Sequence, residues 1–125
     1  MKKEEFQYAK SHEWVQFQDT TTAKVGISDY AQNELGDLVF INLPEVGDEV
    51  AAGETFADVE SVKAVSNVYS PVTGIVKAIN EDLLDQPEFV NSNPMEAWFV
   101  EIEEISDKVA LLSETEYEEL IGKEE

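Results

Sequence analysis

The sequence predicts a mainly β domain, in which short antiparallel strands build a sandwich or small barrel and helices stand at the margins. Three observations carry this reading. Apolar residues alternate with polar ones in short runs, most clearly Ala23, Val25 and Ile27 against Thr22, Lys24 and Gly26. Turn signals such as Pro44-Glu45-Val46-Gly47-Asp48 and Ser70-Pro71-Val72-Thr73-Gly74 divide the runs at close spacing. Helix signals are confined to one short segment near 28–35 and to the C-terminal end. At 125 residues the chain is expected to be a single domain, 1–125, with its core over about 7–104 and a helical segment over about 106–121.

The elements follow in order. Phe6 and Tyr8 suggest a first strand, Trp14 to Phe17 a second, and the alternation around Val25 a third, half-buried one. Ser28 is suited to cap a helix from Asp29 to about Leu35, with Gly36 free to take a left-handed conformation at its end. Leu38 to Leu43 is nearly continuous in apolar character and ends at Pro44, which reads as a central strand. Thr55 to Ser61 and Val65 to Ser70 read as the two arms of a hairpin, and Ile75 to Ile79 as the strand that follows. Asn80 to Pro94 reads as a polar loop. Trp98, Val100 and Ile102 then alternate with Phe99, Glu101 and Glu103 as a final strand. Ser106 is placed to cap a helical turn, and Ser113-Glu114-Thr115-Glu116 is a capping box opening a helix to Ile121, with Gly122 as its stop.

Charge narrows the partners. The chain has 28 acidic residues against 8 lysines and no arginine, a formal net charge of −20. No cationic cluster exists to bind phosphates, so neither nucleic acid nor an anionic membrane is an expected partner. The field favours solubility, a monomeric state and steering toward basic faces; from charge alone, solubility is the plainer explanation. With no cysteine there is no disulfide framework and no thiolate site. Met1 to Phe6 carries basic residues without the apolar stretch of a signal peptide, and no later run could span a bilayer, so a cytoplasmic protein is the simplest inference.

Catalytic and metal chemistry are soon exhausted. His12 is the lone histidine, no serine sits in a nucleophile elbow, and no calcium-loop pattern appears. The pair His12-Glu13 reads better as a structural histidine beside a carboxylate than as an acid–base dyad. The remaining singular feature is Glu60-Ser61-Val62-Lys63-Ala64-Val65-Ser66: Lys63 is the one basic residue between Lys24 and Lys77, set between two β-like arms. A lysine at a hairpin tip can enter another enzyme's active site, and its stem with an acyl chain could sweep roughly 14 Å from a fixed base. Position alone fits an ordinary solvated lysine as well.

Six motifs in register go further. Ser11-His12-Glu13-Trp14-Val15; Gly26-Ile27-Ser28-Asp29-Tyr30-Ala31-Gln32 with Leu35-Gly36-Asp37; Leu43-Pro44-Glu45-Val46-Gly47; Glu60-Ser61-Val62-Lys63-Ala64; Ser70-Pro71-Val72-Thr73-Gly74; and Asn91-Ser92-Asn93-Pro94 together resemble the glycine cleavage H protein family over nearly all of residues 7–121. The resemblance implies the lipoyl/biotinyl-type flattened β-barrel, a barrel-sandwich hybrid of two antiparallel sheets with Lys63 on its tight turn. It also implies lipoic acid joined to Lys63 as an amide, with Glu60, Ser61, Val62 and Ala64 recognised by a lipoate ligase or lipoyl/octanoyl transferase.

By the same resemblance the chain is not itself an enzyme. It would shuttle the aminomethyl group of glycine from a pyridoxal-phosphate glycine decarboxylase (P protein) to an aminomethyltransferase (T protein), with reoxidation by dihydrolipoyl dehydrogenase (L protein). The cofactor carries the reactivity and the protein supplies orientation. The family's arm folds into a cleft on its own carrier; here the resemblance assigns that cleft to Glu13, His12 and Asn67. Asn67 departs from the family, which has a carboxylate four positions after the lysine, and an amide keeps the hydrogen bond without the charge. Pro94-Met95-Glu96-Ala97-Trp98 is also shorter than the family's loop and lacks its tyrosine. The alternative reading is an H-like protein serving lipoyl relay or other redox carriage without glycine cleavage.

Overall fold

The alternation of apolar residues becomes strands in the computed structural model, which describes residues 6–124. Met1 to Glu5, on which the leader reading partly rested, lie outside the described residues. Strands β1 (Gln7–Tyr8), β2 (Glu13–Phe17) and β3 (Ala23–Ile27) form an antiparallel meander. Ala23, Val25 and Ile27 are buried as their spacing requires. Gly26 is needed for a different reason. It pairs with Trp14, and a Cβ at position 26 would stand 2.6 Å from the indole ring.

Helix α1 (Asp29–Leu35) starts and stops where the sequence says: Ser28 Oγ accepts from the Ala31 N–H at 3.1 Å, and Gly36 ends the helix at φ 84°. Next come β4 (Leu38–Asn42), β5 (Glu49–Val50), β6 (Thr55–Ser61), β7 (Val65–Tyr69) and β8 (Val72–Ile79). Helices α2 (Asp82–Asp85) and α3 (Glu88–Ser92), strand β9 (Val100–Lys108) and helix α4 (Glu114–Glu124) complete the described chain. The strands sort into a six-stranded antiparallel sheet, β1-β2-β3-β9-β8-β5, and a three-stranded one, β4-β6-β7. Their inner faces share one core, with Val25, Val76 and Ile102 from the first sheet meeting Ile41, Val59 and Val68 from the second. Each such fully buried aliphatic side chain contributes about 1.5–3 kcal/mol. The result is a flattened sandwich of two antiparallel sheets rather than a closed barrel.

Several elements differ from the sequence reading. The apolar run from Leu38 forms an edge strand, not a central one: β4 pairs with β6 on one side alone, and a bulge between Leu38 and Phe40 turns Val39 and Phe40 outward. Asn80 to Pro94 is not a bare loop; α2 and α3 drive Leu83 and Val90 into the core. The last strand begins at Val100, so Phe99 is fully buried while Trp98 is half-buried and lies beneath the Lys24 ammonium. Ser106 caps no helix: β9 continues to Lys108 because Val72 and Thr73 of β8 supply its ladder partners. Gly122 does not stop α4, which runs on to Glu124.

The C-terminal helix is fastened to the sandwich by side chains. Ser113 Oγ accepts from the Glu116 N–H at 3.2 Å and Glu116 Oε1 from the Ser113 N–H at 2.9 Å, the reciprocal capping box read from the sequence. Tyr117 stacks on Tyr8 with ring centroids 4.3 Å apart. Burial, aided by Glu114 and Glu118, pushes the Tyr8 phenol up to about 12.

Candidate functional site

The hairpin that carries Lys63 is closed by hydrogen bonds one residue outside it. The Ser61 N–H donates to the Ala64 carbonyl at 2.8 Å, which leaves Val62 and Lys63 as a two-residue loop. Ser61 Oγ accepts from the Lys63 and Ala64 amides at 3.2 and 3.0 Å. The Val62 N–H donates to the Asp37 carbonyl at 3.0 Å, pinning the loop to the turn between α1 and β4. Ser61 is therefore buried and structural, Val62 is 69% exposed, and Lys63 and Ala64 stand in solvent. Glu60 lies half-buried in register with Phe40 and Val65, a row crossing the outer face of the three-stranded sheet.

Gly36 is the seat of the lysine stem. A Cβ there would lie 3.3 Å from Lys63 Cε, so the aliphatic stem rests against the end of α1 with no side chain between. Asn91 holds that seat in place. Its Nδ2 donates to Gln32 Oε1 and to the Gly36 carbonyl, both at 2.9 Å, and its Oδ1 accepts from the Leu38 N–H at 2.9 Å. One side chain thus ties α1, the Gly36 turn and β4 together. The sequence displayed Asn91 within a motif but gave no sign of this role, because its partners are 53 to 59 positions away.

Beside the same end of α1 opens a recess of about 300 Å3. Tyr30, Ala31, Glu34 and Leu35 form its α1 wall, and Ser11, His12 and Ser66 the remainder. Of the three residues expected in an arm cleft, His12 lines it. The His12 backbone is at φ 81°, Nδ1 lies 2.7 Å from Tyr117 Oη, and the ring packs 5.0 Å from that of Tyr30. Tyr117 Oη also lies 2.6 Å from Ser28 Oγ, so α4 braces both the cap of α1 and the recess wall.

Glu13 sits elsewhere in this arrangement. It is 2% exposed, its Oε1 accepts from Ser11 Oγ, and its Oε2 accepts from the Tyr69 N–H at 2.9 Å. It joins β2 to β7, one sheet to the other. Burial pushes its carboxyl up to about 7 against the opposing hydrogen bonds from Ser11 and Tyr69. Asn67 also stands apart: it is exposed, in register with Asp58, while its neighbour Ser66 pairs with Val59 on the opposite face of β7 and lines the recess. Of the residues expected in the cleft, then, His12 lines the recess with Ser66 and α1, Glu13 is buried and Asn67 is exposed on the other face of β7. The carboxylate on the lining is Glu34. A wider depression, about 580 Å3 between Phe6, Trp14, Lys24 and Trp98, is not lined by Lys63. Among the described residues no acidic or histidine group is arranged to hold a metal ion, and no helix is long and apolar enough to cross a membrane.

Comparison with known proteins bears on this geometry. The family model described as glycine cleavage H-protein matches residues 6–124. A glycine cleavage system H protein of Lachnoclostridium phytofermentans is 62% identical over 117 residues, covering 94% of this chain and 92% of that protein. One from Staphylococcus epidermidis is 54% identical over 123 residues, covering 95% and 96%. The crystal structure of a glycine cleavage system H protein from Mycobacterium marinum superposes with a TM-score of 0.88 at 34% identity, over 94% of this chain and 97% of that one. A family match across almost the whole chain, relatives above half identity and the same two-sheet architecture lead to one conclusion: this chain belongs to the glycine cleavage H-protein family.

Proposed function

We propose that this chain is the lipoyl carrier of the glycine cleavage system, with lipoic acid joined as an amide to Nζ of Lys63. The observation that carries the reading is an exposed lysine on a two-residue loop pinned from both sides, in a chain of this family. The residues present fit the group: Nζ is open to a modifying enzyme, Gly36 leaves room along the stem, and a recess opens beside that seat. When bound, lipoic acid supplies a disulfide that accepts the aminomethyl group of glycine and, as a dithiol, returns electrons to an oxidant.

The chain's own residues position and present. Ser61 and Asp37 fix the base of the arm, so that motion is confined to the lysine stem and what it bears. Val62 and Ala64 flank Nζ with small uncharged side chains, and these with Glu60 form the face offered to a lipoate ligase or lipoyl/octanoyl transferase. The partners are a glycine decarboxylase, an aminomethyltransferase and a dihydrolipoyl dehydrogenase. Catalysis belongs to them, and the carrier works as a monomer in the cytoplasm.

Single-turnover release of CO2 from carboxyl-labelled glycine tests the assignment. With the decarboxylase in trace amount, CO2 should reach one per lipoylated chain and be absent with Lys63→Arg. A chain that is lipoylated on Lys63 yet supports no release would contradict glycine cleavage and point to lipoyl relay.

A further inference from the structure

Exposed apolar side chains are unevenly spread over this surface. Among the described residues seven large hydrophobic side chains are exposed, and five of them, Val39, Phe40, Val62, Val65 and Tyr69, lie on β4, on β7 or in the loop that carries Lys63. The bulge in β4 turns Val39 and Phe40 outward, and Phe40 is 49% and Val65 71% exposed. Phe40 and Val65 flank Glu60 in one row across the outer face of the three-stranded sheet. Glu60 has no ion pair among the described residues. Ser61 and Val62 follow it directly, so the row borders the Lys63 loop.

Contiguous apolar side chains left in water mark a face that a partner covers, and a carboxylate set among them asks that partner for a cation. A second copy of this chain would bring a charge of −20 against −20. The occupant is therefore a different protein, with an apolar seat and a basic group. Reach decides which one. An enzyme that acylates Nζ must bring its active site to the end of the lysine stem, so its surface rests beside the loop. An enzyme that receives the finished arm meets its thiol end roughly 14 Å away and can engage it without covering this face. We propose that Phe40, Glu60 and Val65 form the docking site of the enzyme that acylates Lys63, which lays an apolar pocket and a cationic group on this row. The inference rests on the reading of Lys63 as the lipoyl site. It extends recognition from the tip of the hairpin to two specificity-determining side chains on the strands either side of β6.

Initial rates of Lys63 lipoylation by a lipoate ligase, with lipoate and ATP, test this. The lipoate carboxylate is activated with release of pyrophosphate, and Nζ then displaces AMP and loses a proton as the amide forms. Threonine keeps β propensity while removing apolar area, so Phe40→Thr and Val65→Thr are compared with the native chain and with Val46→Thr, an exposed valine past the far end of β4. In each of the first two, kcat/KM should fall about tenfold, through KM with kcat held, and in Glu60→Gln several-fold; Val46→Thr should match the native chain. Native amide chemical shifts in the six-stranded sheet show each variant folded. Taken to full lipoylation with excess ligase, Phe40→Thr and Val65→Thr should release CO2 from glycine at the native single-turnover rate. Native lipoylation kinetics in these two variants, an equal loss in Val46→Thr, or an equal loss in CO2 release would overturn the proposal. So would a native chain that sediments as a dimer and a Phe40→Thr chain that sediments as a monomer, which would give the face to a second copy. A native chain left unmodified at Lys63 would appear first, in the intact mass, and would remove the underlying reading instead.

Discussion

Glu13 shows how a residue's surroundings set its use. A carboxyl raised by burial from 4.5 to about 7 stabilises the fold while protonated. Its contribution is complete below the unfolded value of 4.5 and is lost as pH rises through about 7, for at most about 3 kcal/mol. Urea denaturation of the native protein and Glu13→Gln at pH 5 and pH 8 isolates the effect from the other carboxylates. The native protein should lose more stability than the variant between those two pH values; equal losses would contradict the buried bridge. Gly36→Ala tests the lysine seat, since φ 84° and ψ −164° suit glycine alone and a methyl would press on Lys63 Cε. It should cost about 1–3 kcal/mol in the same assay. At this scale the sequence displayed Lys63 through its place in one of six motifs in register, since position alone fitted an ordinary solvated lysine as well. It concealed Asn91, whose meaning lies in contacts that form across the fold.

Among the elements, those with local chemistry were legible and those depending on tertiary partners were not. Helix α1 was readable from Ser28 and Gly36, and the start of α4 from Ser113 and Glu116, because caps are short-range hydrogen bonds. The hairpin arms β6 and β7 were readable from alternation. In contrast, α2 and α3 have four and five residues and no side-chain cap, too little for a periodic signal. The tail of β9 is polar on both faces and exists because β8 offers it a ladder. Tyr117 belongs to this second kind: its hydroxyl meets His12 and Ser28, 105 and 89 positions away. Tyr117→Phe should destabilise the protein by about 1–2 kcal/mol and raise amide hydrogen exchange in α4 before the sandwich core. Uniform exchange throughout would show that the hydroxyl does not fasten this helix.

For the molecule as a whole, a charge of −20 on 125 residues sets long-range behaviour, while the fold follows from the apolar alternation beneath it. If the acidic surface steers the carrier, kcat/KM for its lipoylation should fall several-fold as ionic strength rises from about 0.02 to about 0.3 M. A flat profile would restrict the charge to solubility. The sandwich gives that surface one fixed point of chemistry, the pinned loop at Lys63, and the whole account depends on what that lysine bears. Intact mass and peptide mapping, on protein produced with lipoate and a lipoate ligase beside a Lys63→Arg control, test this most directly. The account predicts one lipoyl addition on the peptide containing Lys63 and none in the control; an unmodified chain, or a lipoyl group on another lysine, would contradict it.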